Sequence, residues 1–192
     1  MDVIFFWMKA NKYLLIFSII ILLNPFSLFA LEIKKIDGFV YDTNILISIY
    51  YKDFPFQKLV LALKAQKKPI LLEYKFEVYK KRFLLRDVLL HQEKYYQKLV
   101  YNPEENLYYL EDKFGLKKFE KAEDAILSII NVESYPLKFN LPQRKNKLAL
   151  KVKVKIEYST HLSDDLRYTK KIHNKKIEVE KSANFDEIFT KY

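Results

Sequence analysis

Cysteine is absent from the 192 residues, and glycine occurs only twice. Without cysteine the chain has neither disulfide staples nor thiolate metal ligands. Gly38 and Gly115 lie far apart, whereas a phosphate-cradling loop or a dinucleotide fingerprint needs two or three closely spaced glycines. Both methionines and the single tryptophan, Met1, Met8 and Trp7, sit at the very start. No internal repeat or low-complexity tract is visible. What the chain does have is bulk and charge. Half of the residues are apolar, 16% are aromatic and 30% are charged, enough for a sizeable core under a solvated surface. The composition excludes collagen-like and wholly disordered classes, and the length fits one domain.

Lys9 and Lys12 precede an apolar run from Tyr13 to Leu23, which Asn24-Pro25 breaks before Ser27-Leu28-Phe29-Ala30. A basic flank, a short apolar stretch and a small residue at a cleavage position make a secretory signal pattern over residues 1–30. The run is shorter than the roughly 20 apolar residues needed to span a bilayer. The alternative is an uncleaved anchor, with membrane contact through residues 13–30 and attachment to the inner membrane. Met8-Lys9 would open a more ordinary basic leader than Met1-Asp2-Val3 does, so Met8 is an alternative start. The expected location is the periplasm or cell envelope, and the expected domain is 31–192. Loss of the leader removes Lys9, Lys12 and Asp2, which leaves 32 basic against 23 acidic groups and a net charge of +9. An oxidising compartment would permit disulfides, but with none possible stability must come from the core and from ion pairs.

Strict alternation marks the clearest strand, Lys147 to Tyr158. Leu148, Leu150, Val152, Val154, Ile156 and Tyr158 face one way; Lys147, Lys151, Lys153, Lys155 and Glu157 face the other. Ile45, Ile47 and Ile49 read the same way, as do Leu72, Tyr74, Phe76 and Val78 between Glu73, Lys75 and Glu77. One dry and one wet face make antiparallel pairing the default. Residues 33–41 and 44–52 predict a first hairpin. Residues 87–101 and 107–114 predict a second, turning at Asn102-Pro103-Glu104-Glu105-Asn106.

Two short helices are expected. Phe56, Leu59, Val60 and Leu63 recur at helical spacing behind Asp53 as N-cap, with Pro55 in the first turn and Pro69 at the exit. Phe119, Ala122, Ile126, Ile129 and Ile130 repeat the pattern behind Glu120, Glu123 and Asp124, where the helix dipole favours acids. Helices of about three turns need a partner surface, so each must lie on a sheet. From Ile172 onward the chain is polar, which predicts an edge strand that then frays. The fold expected is mainly β: an antiparallel β-sandwich of about seven strands, immunoglobulin-like in one form, with two short helices. The alternative is α+β, with the helices on one face of a single antiparallel sheet.

The order of these pieces resembles the bacterial family catalogued as domain of unknown function 4390. The likeness runs through Phe54-Pro55-Phe56-Gln57-Lys58-Leu59, the strand Ile70 to Tyr79 with Lys81-Arg82-Phe83, and Tyr95-Tyr96-Gln97-Lys98-Leu99-Val100-Tyr101. It continues through Leu116-Lys117-Lys118-Phe119 and the strand Leu148 to Ile156. The resemblance implies an uncharacterised secreted protein with no established activity, and it brings no functional residues.

Candidate chemistry is sparse. His161, Ser163, Asp164 and Asp165, with His173, offer residue types of an acid/base or metal site, but their spacing fits no ligand motif. Ser163 lacks a glycine-flanked elbow, and zinc on His91, His161 and His173 would need long-range convergence without any cysteine. A solvated turn is the simpler reading. No motif calls for a cofactor. The run Lys80, Lys81, Arg82, Phe83 and Arg86 interleaves cations with an aromatic ring, a pattern of polyanion-binding surfaces. Export excludes nucleic acid as the partner and favours an envelope protein or an anionic lipid. Tyr95, Tyr96 and Tyr101 crowd the second hairpin with Tyr108 and Tyr109, either as a binding face or as ordinary cross-strand packing. The leading expectation is a non-enzymatic binding or assembly module using residues 80–86 and these tyrosines. The alternatives are a hydrolase or metal-dependent enzyme built on residues 161–173, and an anionic-lipid-associated structural protein.

Overall fold

The computed structural model describes residues 31–41, 44–65, 68–130, 132–140, 147–161 and 172–189. The leader, Gln66-Lys67, Ser163, Asp164 and Asp165 lie outside them. The first hairpin joins β1 (Glu32–Tyr41) to β2 (Asn44–Lys52), the two segments expected, with a register shift between Ile33 and Lys35. After helix α1 (Phe56–Lys64) come β3 (Ile70–Lys80) and β4 (Val88–Asn102), then β5 (Leu107–Asp112) and β6 (Gly115–Phe119). Helix α2 (Ala122–Ile130) leads to β7 (Val132–Leu137), and β8 (Leu148–His161) pairs with β9 (Ile172–Asn184) before a last short helix, α3 (Phe185–Ile188).

These strands form two antiparallel sheets, one ordered β1-β2-β7 and the other β6-β5-β4-β3-β8-β9. The large sheet presents one apolar face: Leu72, Tyr74, Phe76 and Val78 of β3 beside Leu150, Val152, Val154 and Ile156 of β8, all fully buried. That face has two covers. The small sheet lies over Phe76, whose ring stacks on Tyr135 of β7 at 4.7 Å. The helices lie over the other end, where α2 packs on β5, β6 and α1. Leu59, Val60, Ala62 and Leu63 of α1 and Ala122, Ala125, Ile126 and Ile129 of α2 join the same core. Sandwich and α+β expectations therefore meet in one molecule, with two sheets at one end and helices on the sheet at the other.

Several local expectations change. Asp53 is not the N-cap: it adopts a left-handed backbone, φ 55°, and Pro55 stands at the cap position without a side-chain bond. Phe119 ends β6 rather than beginning α2, because β5 offers it a ladder partner in Tyr108. The strands number nine among the described residues, not about seven. The additional β7 contains Pro136, tolerated because β7 is the edge of its sheet. β9 is the expected edge strand, but it does not fray at once. Asn184 and Glu187 form a capping box at α3, which buries Phe185 and Ile188.

Both glycines have a geometric reason. Gly115 turns β5 into β6 at φ 134°, a conformation that side chains rarely adopt. Gly38 lies under α3, where an added Cβ would stand 2.7 Å from the Phe189 ring.

Candidate functional site

The β3–β4 hairpin ends in a seven-residue connection, 81–87, all of it exposed. Two bonds fix its base. The Lys81 amide donates to the Lys147 carbonyl at 2.7 Å, and the Arg82 amide donates to the Asp87 carboxylate at 3.3 Å. The tip is apolar. Phe83, Leu84 and Leu85 are 91%, 88% and 67% exposed, and Leu84 is held at φ 62°. A register shift follows at once: Val78 faces His91 but Tyr79 faces Leu89, so Leu90 is the extra residue of a bulge. Leu89 and Leu90 are both exposed there.

Lys80, Lys81, Arg82 and Arg86 bracket this apex and are exposed. Among the described residues, no ion pair engages any of them. The cations of the outer sheet face behave differently. Lys151 lies 2.9 Å from Glu180, Lys155 2.5 Å from Glu157 and Lys94 2.5 Å from Glu73, while Lys75 pairs with Glu77. The lysine row of β8 is thus part of a mixed-charge lattice and not a cationic strip.

A second cluster lies in the seam between β4 and β7. The Glu93 carboxylate accepts the Tyr135 hydroxyl at 2.6 Å, the Lys113 ammonium at 3.1 Å and the Lys138 amide at 3.0 Å. Burial would raise its pKa, but these donors outweigh burial and hold it below the usual carboxylate range. Burial, and then the bond to Glu93, push the Tyr135 hydroxyl well above its ordinary value. Tyr95 is raised in the same way by burial and by its 2.7 Å bond to Asp112. Both shifts follow from burial and hydrogen bonding within a packed seam. It is a brace: Tyr135 also packs on Phe76 and Tyr95, and the Lys113 Nζ lies 4.2 Å from its ring centre.

The structure brings Lys80, Lys81, Arg82, Phe83 and Arg86 together at one end of the large sheet. The tyrosines do not join them. Tyr95 is only 4% exposed, stacked on Tyr74, and so belongs to the core rather than to a binding face. Tyr96, 53% exposed, lines an open groove of about 480 Å³ on the outer sheet face with Leu71, Lys94, Lys155 and Glu157. Tyr101 lies towards the opposite end, half-buried, and its hydroxyl donates to Asn106 at 2.7 Å. His161 and His173 come to neighbouring register positions, Thr160 facing His173 and His161 facing Ile172, also far from the tip. Asp164 and Asp165 of that acid/base candidate lie outside the described residues. Among the described residues, no group of three His, Asp or Glu could hold a metal ion. No helix among them is long and apolar enough to cross a membrane.

Comparison with protein-family models, with curated proteins and with solved structures finds no match to the chain. The features missed from sequence are the apolar apex itself and Glu93. The signal for the apex was present: Phe83-Leu84-Leu85 and Leu89-Leu90 break the apolar–polar alternation that governs both flanking strands. Glu93 carried no local signal, because its donors come from β5–β6, β7 and the segment after β7.

Proposed function

We propose that the chain is an exported, non-enzymatic binding module of the cell envelope, and that the tip of the β3–β4 hairpin is its contact surface. The observation that carries this reading is the apex Phe83-Leu84-Leu85, almost fully exposed beside four cations without ion-pair partners among the described residues. Three consecutive large apolar side chains in water are unfavourable, each forgoing roughly 1.5–3 kcal/mol of burial. A binding surface is the usual reason for such a patch. The leader pattern of residues 1–30 and the resemblance to domain of unknown function 4390 support export.

The test is photo-crosslinking in living cells from a photoreactive phenylalanine placed at position 83, with exposed Leu61 on α1 as the control position. The expected result is an envelope adduct, lipid or protein, from position 83 and none from position 61. Equal labelling from both positions, or none from position 83, overturns the proposal.

A further inference from the structure

We infer that the partner of this tip is an anionic lipid surface, with Phe83, Leu84 and Leu85 entering the interfacial layer while the flanking cations hold lipid phosphates; this rests on the binding-module reading above. Three observations favour lipid over a protein pocket. The first is shape. The apex projects into water, with Phe83 and Leu84 almost fully exposed, and none of the five clefts described on the surface is lined by a residue from 80 to 90. A projecting apolar point needs either a concave partner of matching form or a fluid one, and a bilayer interface accepts any form.

The second is the order of charge along the chain. Lys80, Lys81 and Arg82 precede the apolar triplet and Arg86 follows it directly, with one carboxylate, Asp87, in the same stretch. That carboxylate, also exposed, accepts the Arg82 amide at the base of the loop and pairs with none of these cations. Long cationic side chains one to three residues from an inserted apex reach headgroup phosphates while their stems stay in the apolar layer.

The third is placement. Val40 pairs with Ile45, Ile45 with Leu137, and Phe139 packs against His91 just below the tip. The end of β1 that carries exposed Phe39 and Val40 therefore lies at the same end of the molecule. The groups are thus disposed over one end, as a membrane plane requires, and not along one side.

The experiment uses the full chain carrying Trp7→Phe and Phe83→Trp, so that its only tryptophan reports the apex. With vesicles of mixed phosphatidylglycerol and phosphatidylcholine, the emission should shift to the blue and be quenched by brominated lipid. The response should weaken at high salt and with pure phosphatidylcholine. Lys81→Ala with Arg82→Ala should lower partitioning roughly 25-fold, since each cation at an anionic surface is worth about five-fold. Emission that stays water-like with anionic vesicles overturns the inference, as does partitioning that neither the cation pair nor salt affects. If vesicles give no response while position 83 still crosslinks to an envelope protein, the lipid assignment fails and the binding-module reading stands. If position 83 gives no adduct of any kind, both fail.

Discussion

The Glu93–Tyr135 seam and the 80–90 tip are built from the same materials, aromatic rings, aliphatic side chains and ammonium or guanidinium groups, yet they are arranged in opposite ways. In the seam each polar atom of Glu93 and Tyr135 has a partner and the rings stack on one another. At the tip the rings and methyls face water, and the four cations have no ion-pair partner among the described residues. A packed, hydrogen-bonded cluster stabilises the fold; at the tip water solvates the cations, and the apolar surface is left unburied. Charge and aromaticity alone therefore do not distinguish a brace from a binding surface. The distinction lies in whether the hydrogen-bonding and apolar groups are already used.

The largest expected effect is on the seam. Tyr135→Ala removes the ring stacked on Phe76 and a donor to Glu93, and should cost about 3–5 kcal/mol, read as a lowered denaturation midpoint with unchanged slope. A loss below about 1 kcal/mol would break the contrast with the tip. Glu93→Ala comes next, at about 1–3 kcal/mol, since Tyr135 and the Lys138 amide lose their acceptor.

The pH dependence of that loss sharpens the assignment. The folded pKa of Glu93 is lowered, so its contribution is fully present above the ordinary carboxylate value of about 4.5 and is lost as pH falls through the lowered folded value. The stability gap between the wild type and Glu93→Ala should therefore narrow on acidification below that point. A gap that is constant with pH would mean that packing, and not the carboxylate, makes the brace.

The smallest effects belong to the tip. Phe83→Ser and Leu85→Ser should change stability by no more than about 0.5 kcal/mol in denaturant titration while abolishing the vesicle binding proposed for the tip. Leu84→Gly should be neutral or stabilising by up to about 1 kcal/mol, because φ 62° suits glycine better than leucine. A marked destabilisation by any of the three would show that the apex is a packing element after all.

Legibility from sequence followed the range of the forces involved. The hairpins β1–β2 and β4–β5 were readable because alternation and the Asn102–Asn106 turn are local, and Asn106 takes the left-handed conformation, φ 54°, that asparagine tolerates. The tyrosine set was harder. Tyr95 shares its parity with Leu99 and the core, and Tyr96 with Lys98 and water, but Gln97 on the dry side blurs that pattern. In the structure Gln97 is satisfied there by the Tyr74 hydroxyl at 3.2 Å, which only the β3–β4 register reveals. The cap at α1 is not legible from sequence, because Asp53 has the chemistry of a cap but takes a left-handed backbone on the path from β2 into the helix.

From local pattern alone the chain is mainly β and antiparallel, the dry residues of β2, β3 and β8 are fixed, and the two hairpin turns are placed. Those properties depend on neighbours two to five residues away, through the pleat and through turn conformations. Tertiary structure alone decided that helices and a small sheet would share one face of the large sheet, that Glu93 would collect donors from three other segments, and that Phe83-Leu84-Leu85 would stay in water. The triplet is as apolar as Leu148-Ala149-Leu150, which the same fold buries. Burial depends on what the rest of the chain brings to a segment, so the broken alternation marks both triplets as irregular without telling which of them is exposed.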